Sequence, residues 1–452
     1  MLTIDEIEHF ILQDSTDPIK QQAREGQRYY EADHDIKKYR LFYPDSDGHL
    51  VEDRTRSNIK ISHPFFTELV DQAVQYMLSG KSRFAISDDK DIQSILDESL
   101  NHNPPFISEL YDTLTGCLVK GSEYMYAYKD EDGRLSFQRA DSLGVIEVRA
   151  KDTLDRSDYI IYHQIERLDK DRETIRKIQV WDRDKVWYYV KEGAKPIEKD
   201  PNVTTNPRPH IVYCDGKTDS LGFIPFFRLD LNRKRISSLK PIKPLIDDYD
   251  LMSCGLSNNL QDLTEGIFIV KNYMGDSIDD LIQTIKVKKA IGVDTEGDVD
   301  IKTIDIPYEA RKVKLQLDED NIYRFGMGLN SQKTGDGNIT NVVIKSRYAL
   351  LDLKCNKLEI QLKAFLSKLI KAILDDTKAK HTLRDVRISF ERCTVTNALD
   401  NAQIALTEAE TLQTRIETML ALKDTLGEDE VRKSIQNLLS PEAFHLIPDC
   451  IC

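Results

Sequence analysis

A polar, glycine-rich stretch set between two helical patterns constrains this chain more than any other feature: Gly326-Met327-Gly328-Leu329-Asn330-Ser331-Gln332-Lys333-Thr334-Gly335-Asp336-Gly337-Asn338-Ile339-Thr340-Asn341. Upstream lies the charged run 309–325. Downstream, apolar or small residues recur at Val342, Val343, Ser346, Leu350 and Leu353, then at Leu358, Leu362, Phe365, Leu366, Leu369, Ile370 and Ile373. That is the spacing of one buried helix face with a stutter near Lys357. The pattern predicts a mobile loop held by a long rigid arm. Loops that interrupt a strong helical period without building a core usually touch a partner or move; an ordinary surface connection is the plainer alternative.

At 452 residues the chain has room for two to four domains of roughly 150 residues each. Its formal net charge of -14 lacks the basic balance of a typical nucleic-acid binder, although an acidic protein can handle DNA that must slide past it. Charge is segregated along the chain: residues 308–377 carry twelve basic against nine acidic residues, whereas the tail after Thr394 carries four against ten. The seven cysteines are odd in number and scattered, the pattern of reduced thiols in a cytosolic protein. Cys450-Ile451-Cys452 lacks the second ligand pair that a zinc site needs. No run of about 18 apolar residues is present, and acids stand where a signal peptide would carry Lys or Arg, so neither membrane spanning nor secretion is expected.

The first ~120 residues read as helical, with helices beginning around Ile7, spanning 19–30 after Pro18, and spanning 64–77 with Phe65, Leu69, Val70, Val74 and Met77 on one face. Alternation at Tyr124, Tyr126 and Tyr128 then opens a series of short β runs at 145–148, 159–162, 178–181 and 186–190, expected as one antiparallel meander interrupted by a loop over 199–210. The helical period returns with Ile242, Leu245, Ile246, Tyr249, Met252, Leu256, Leu260 and Leu263, a stripe opened by Pro241 and Pro244. Strands over 266–273 and 299–306 then frame a small insert with a helix at 278–285 and a basic cluster, Lys286, Lys288 and Lys289. A helical pair, 404–422 and 428–439, closes the chain.

No enzyme can be picked out. Gly216-Lys217-Thr218 resembles the end of a phosphate-binding loop, but position 211 is Ile where that motif needs Gly, and Leu221-Gly222-Phe223-Ile224-Pro225 forbids the helix that would follow. The nine histidines are spread singly, and His63 before Pro64 reads as a satisfied buried or capping residue rather than a catalyst. Carboxylates are abundant and unclustered, so no catalytic residues, metal ligands or cofactors are assigned.

Several spaced blocks do carry a resemblance. They are Tyr29-Tyr30-Glu31-Ala32-Asp33-His34-Asp35-Ile36; Ser57-Asn58-Ile59-Lys60-Ile61-Ser62-His63-Pro64-Phe65-Phe66 with Val70-Asp71-Gln72 and Tyr76-Met77-Leu78-Ser79-Gly80; Gly121-Ser122-Glu123-Tyr124-Met125-Tyr126; Leu221 to Phe226; and Pro241 to Asp250 with Ser257-Asn258-Asn259-Leu260. Their order resembles that of tailed-bacteriophage portal proteins, specifically the portal family of long-tailed phages of Gram-positive bacteria.

The resemblance implies an α+β, mainly helical fold of wing, stem, clip and crown that assembles as a ring, twelve-fold in capsids. By position, 1–236 would be the wing, 237–265 the first stem helix, 266–306 the clip and 307–327 the second stem helix. Residues 328–341 would be the tunnel loop, 342–393 the long wing helix and a strand, and 394–452 the crown. It implies a DNA channel at one capsid vertex of the virion, assembled in the host cytoplasm, through which terminase packages double-stranded DNA and DNA exits on ejection. The partners implied are further copies of the chain, the terminase large subunit, the major capsid and scaffolding proteins, head-completion adaptors, and DNA contacted without sequence preference. Gln332, Lys333 and Asn338 would touch that DNA; Lys286, Lys288 and Lys289 would steer the terminase or connector; Leu245, Tyr249, Met252, Leu256 and Leu260 would pack neighbouring subunits. A cytosolic oligomeric scaffold or adaptor with no DNA passage is the alternative from another class.

Overall fold

The computed structural model describes residues 1–44, 47–54, 56–80, 83–149, 157–167, 174–213, 216–262, 267–273, 293–302, 308–330, 341–377, 383–392, 398–421 and 431. The chain divides into two compact units, one of residues 1–330 and 350–392, the other of residues 331–349 and 393–452.

The first unit opens with α1 (Ile4–Thr16), started by a capping box between Thr3 and Glu6, and α2 (Pro18–Tyr30), where Asp17 accepts from the Ile19 N–H and Pro18 begins the helix. A small hairpin, β1 (Phe42–Pro44) and β2 (Leu50–Glu52), precedes α3 (Phe65–Met77), which follows Pro64 and buries Phe66, Leu69, Val70, Ala73, Val74, Tyr76 and Met77. After β3 (Ala85–Ser87) and α4 (Lys90–Leu96), the central α5 (Pro104–Lys120) is capped by Asn103 and buries Phe106, Leu110, Leu114, Cys117 and Leu118. It ends at Gly121, whose φ of +89° suits a residue without Cβ; a Cβ there would also stand 2.2 Å from the Arg235 carbonyl oxygen.

The β region is two larger sheets and a two-stranded pair rather than one meander. β4 (Ser122–Lys129) pairs with β5 (Leu135–Ala140). The meander proper is β6 (Val145–Arg149), β7 (Ser157–Arg167), β8 (Thr174–Trp181) and β9 (Lys185–Glu192), with β10 (Glu198–Lys199) and β11 (Arg208–Pro209) both on the β9 edge. β12 (Ile211–Val212) and β13 (Thr218–Asp219) form a separate pair, and β14 (Phe226–Asp230) returns to the far side of β4. Local alternation shows that a strand exists but not which strand it pairs with, and here the second partner of β4 arrives a hundred residues later. Alternation also gives the larger sheet two buried faces. Ile161, Ile178, Val180, Trp187 and Tyr189 pack with Ile7 and Ile11 of α1, while Ile160, Tyr162, Trp181 and Val186 pack with Tyr124 and Phe226.

Next come α6 (Lys243–Asp262), an antiparallel pair of β15 (Ile267–Tyr273) and β16 (Val293–Lys302), α7 (Tyr308–Gly326) and α8 (Asn341–Asp376); β17 (Val386–Ile388) pairs with β3. β16 begins at Val293 rather than 299, through an acidic stretch whose pattern gave no apolar alternation. The helix expected at 278–285 lies outside the described residues. Along α8 the buried line is Leu351, Cys355, Leu358, Leu362, Phe365, Leu366, Leu369, Ile370 and Ile373, with Leu350 and Leu353 exposed. The stutter near Lys357 therefore disappears once Leu351 and Cys355 replace those two leucines on the inner face. In the second unit α9 (Ala398–Ala421) begins six residues before the expected 404; the helix expected at 428–439 lies outside the described residues, apart from Val431.

Candidate functional site

Buried residues recur at every fourth position from Ile242, just before α6, through Ile246, Asp250 and Cys254 of the helix. A carboxylate and a thiol thus occupy core positions, and each is satisfied by the extended segment 57–63. His63 donates its backbone N–H to Asp250 Oδ1 at 3.0 Å, the Ile61 N–H reaches Cys254 Sγ at 3.2 Å, and the Ile59 N–H reaches Asn258 Oδ1 at 2.6 Å. Alternate residues of the segment meet helix side chains four apart, running the opposite way. The register follows from geometry, since four helical residues rise about 6 Å and two extended residues about 6.6 Å.

Asp250 is the centre of this junction. Its Oδ2 lies 2.6 Å from His34 Nδ1 and its Oδ1 2.7 Å from His63 Nδ1. Burial raises the Asp250 pKa, but the hydrogen bonds from His34 and His63 outweigh burial and hold the carboxyl below its ordinary range. The buried His34 ring presents its other nitrogen to the Tyr29 carbonyl oxygen at 3.3 Å and stacks on the Tyr29 ring at 4.5 Å. Two turns earlier, Lys243 Nζ is 2.7 Å from both Asp35 Oδ2 and Asp247 Oδ2 and lies 5.0 Å from the centre of the Tyr29 ring. Partial burial lowers the Lys243 pKa, and the bonds to Asp247 and Asp35 more than reverse it, so the pKa is raised. The base of α6 is thereby locked to residues 25–35 and 57–63.

α6 packs on α7 through Lys314, which bridges Asp248 and Asp318, and through Asn259, whose amide oxygen in the orientation that satisfies both groups accepts from Arg311 at 2.8 and 2.9 Å. Tyr249 is edge-on to His63 and to Phe65, each at 4.8 Å, and Phe65 is edge-on to Tyr323 at 6.0 Å.

The end of α7 is equally built. The Gly328 N–H bonds the Tyr323 carbonyl oxygen at 2.9 Å and the Met327 N–H that of Arg324 at 3.3 Å, the two bonds of a Schellman cap. The left-handed residue is Met327, with φ +56°. The flanking glycines serve packing: a Cβ on Gly326 would fall 2.5 Å from Leu69 Cδ1, and one on Gly328 2.0 Å from Leu69 Cδ2. The sequence reading gave these two glycines to loop mobility; their place against α3 gives them a close-contact role instead. Gln72 then reads the Leu329 backbone in both directions, at 2.8 and 2.9 Å, while Tyr323 donates to Glu68 at 2.6 Å and Asn330 to Glu319 at 2.8 Å.

A family model described as phage portal protein, SPP1 Gp6-like, matches residues 9–440. The chain belongs to that family. The portal protein of Bacillus phage SPP1 is 28% identical over 345 residues, covering 75% of this chain and 67% of that protein. The portal protein of Clostridium phage phiCD119 is 25% identical over 419 residues, 88% of each. Among solved structures, the neck of a native GTA particle computed with C12 symmetry covers 78% of this chain and 86% of that chain at 12% identity and a TM-score of 0.39.

Three of the blocks that carried the portal resemblance, 29–36, 57–66 and 241–250, meet at the base of α6. Sequence reasoning missed Asp250 and His34 as its centre, because a buried carboxylate looks like any polar residue on a helix's wet face. His63 is the satisfied residue expected. Of the stripe assigned to subunit packing, Tyr249 packs within its own chain, Leu245, Met252 and Leu256 are half-buried, and Leu260 is exposed. Gln332, Lys333 and Asn338, like Lys286, Lys288 and Lys289, lie outside the described residues. Among the described residues no group of His, Cys, Asp and Glu could hold a metal ion, and no helix is long and apolar enough to cross a membrane.

Proposed function

We propose that this portal-family chain is the subunit of a closed, twelve-membered ring at one capsid vertex, through which terminase drives double-stranded DNA inward and DNA later leaves. The observation that carries the ring reading is the apolar surface left on the α6–α7 pair: Leu251 and Leu260 of α6 and Tyr308, Val313 and Leu317 of α7 are all exposed, Leu260 by 56% and Leu317 by 54%. Covering one leucine is worth about 1.5–3 kcal/mol; Leu251 and Leu260 stand nine residues apart, on opposite faces of α6, and a head-to-tail contact, which joins two different faces of neighbouring copies, generates a ring when the rotation closes. In this reading α6 and α7 are the stem and 266–306 is the clip. Lys286, Lys288 and Lys289 steer terminase and head-completion proteins, and capsid and scaffolding proteins surround the wing. Residues 331–340 face passing DNA, with Gln332, Lys333 and Asn338 reaching phosphate oxygens without reading bases. A mostly acidic conduit suits this task, because each added phosphate contact strengthens binding and would slow translocation.

Native mass spectrometry of the wild-type protein and of Leu260→Asp with Leu317→Asp tests the ring. The wild type should form a closed oligomer and the double variant a folded, soluble, smaller species. A wild type that stays monomeric at micromolar concentration with scaffold present would overturn the reading.

A further inference from the structure

One lysine on α8 has no part in the features above. Lys354 extends its amine between three helices and donates to Gly326 O at the end of α7, at 3.1 Å, and to Leu69 O of α3, at 3.2 Å. Among the described residues no carboxylate pairs with it. Gly326 O belongs to the last turn of α7, where carbonyls lack intrahelical donors and carry the negative end of the helix dipole, so a cationic donor is well matched. Leu69 is also the side chain against which Gly326 and Gly328 are pressed, and Gln72, one turn on, holds Leu329. α8 is itself fixed to α3 beside this point, through Tyr76 to Asp352 at 2.7 Å and Cys355 Sγ to the Ala73 carbonyl oxygen at 3.7 Å.

We propose that Lys354 is a positioning residue for the segment 331–340. It ties the last turn of α7 to α3 and to α8, the helix that receives the chain after that segment, so residues 326–330 are a fixed post. The proposal rests on reading 331–340 as the DNA-facing loop, in which case the post sets where that loop starts.

Hydrogen exchange at the Met327, Gly328 and Leu329 amides, measured on the assembled protein, reads the post directly, and a DNA-packaging assay reads its use. Lys354→Met keeps the apolar stem and removes the donor. It should assemble normally, speed exchange at these three amides roughly tenfold, as loss of about one net hydrogen bond would, and slow packaging. Lys354→Arg, which can still donate to both carbonyls, should restore most of the protection. Gln72→Met attacks the post from α3 and should expose the same amides, which covers the case in which Lys354→Met does not assemble. Lys333→Ala should change packaging with these amides untouched. Faster exchange with unchanged packaging keeps the post and removes the DNA role of the loop. Unchanged exchange in both Lys354→Met and Gln72→Met overturns the proposal.

Discussion

Asp250 is the residue on which the base of α6 depends, because its two oxygens take three donors from two separate stretches of chain. Asp250→Asn replaces one acceptor oxygen with an amide that faces a donor, and should cost about 1–3 kcal/mol, the range for a buried polar group left unsatisfied, read as a lower urea midpoint. Lys354 gives a prediction in pH. Burial pushes its amine down to about 8, against an ordinary 10.5. Between those values the unfolded chain binds the extra proton, so stability rises with pH across the window, and below about pH 8 the cost of the buried charge is fully present. The neutral amine still has two N–H groups for its two carbonyls. The groups around it are otherwise engaged: Glu68, Glu319 and Asp352 accept from Tyr323, Asn330 and Tyr76, and burial pushes the Tyr323 phenol and the Cys355 thiol upward, the latter to about 11. The urea midpoint of the wild type should therefore gain on that of Lys354→Met from pH 8 to pH 10; parallel curves would contradict this. At the neighbouring cap, Met327→Gly should stabilise by about 0.5–1 kcal/mol, because it relieves a left-handed side chain. Gly328→Ala should destabilise, because its Cβ meets Leu69.

Among elements, the helices that begin at a proline or a capping side chain were legible, since Pro18 and Pro64 mark their starts in the sequence itself. The run of apolar residues that makes most of α8 was legible for the same local reason. What failed was the phase of a helix where both choices are apolar. Leu351 and Cys355 continue the 3.6-residue period of Leu358 and Leu362 without a stutter, whereas Leu353 stands five residues before Leu358 and breaks it, and the buried face follows the unbroken line. Leu358→Ala should thus cost about 2–5 kcal/mol, while Leu353→Ala, at 45% exposure, should stay within about 0.5 kcal/mol in the same unfolding assay. The ladder between α6 and residues 57–63 was illegible because its rungs are side chain to backbone. Neither the helical period nor strand alternation records such bonds. Its three rungs nevertheless explain why a polar helix face can be an inner one.

At the scale of the molecule, the order of spaced blocks pointed to the portal family, and the family match over residues 9–440 bears that out. Pairing was harder to see, because β4 finds β14 across the whole meander and β3 finds β17 some three hundred residues away. The proposed ring rests on the net charge of -14 and the exposed apolar side chains of the α6–α7 pair. A reconstruction of the purified, assembled protein by electron cryomicroscopy tests this most directly. It should show a closed ring with an axial opening wide enough for duplex DNA, α6–α7 pairs packed side by side around it, and residues 331–340 directed at the axis. A monomer, an open filament, or a ring that carries residues 331–340 on its outer rim would contradict it.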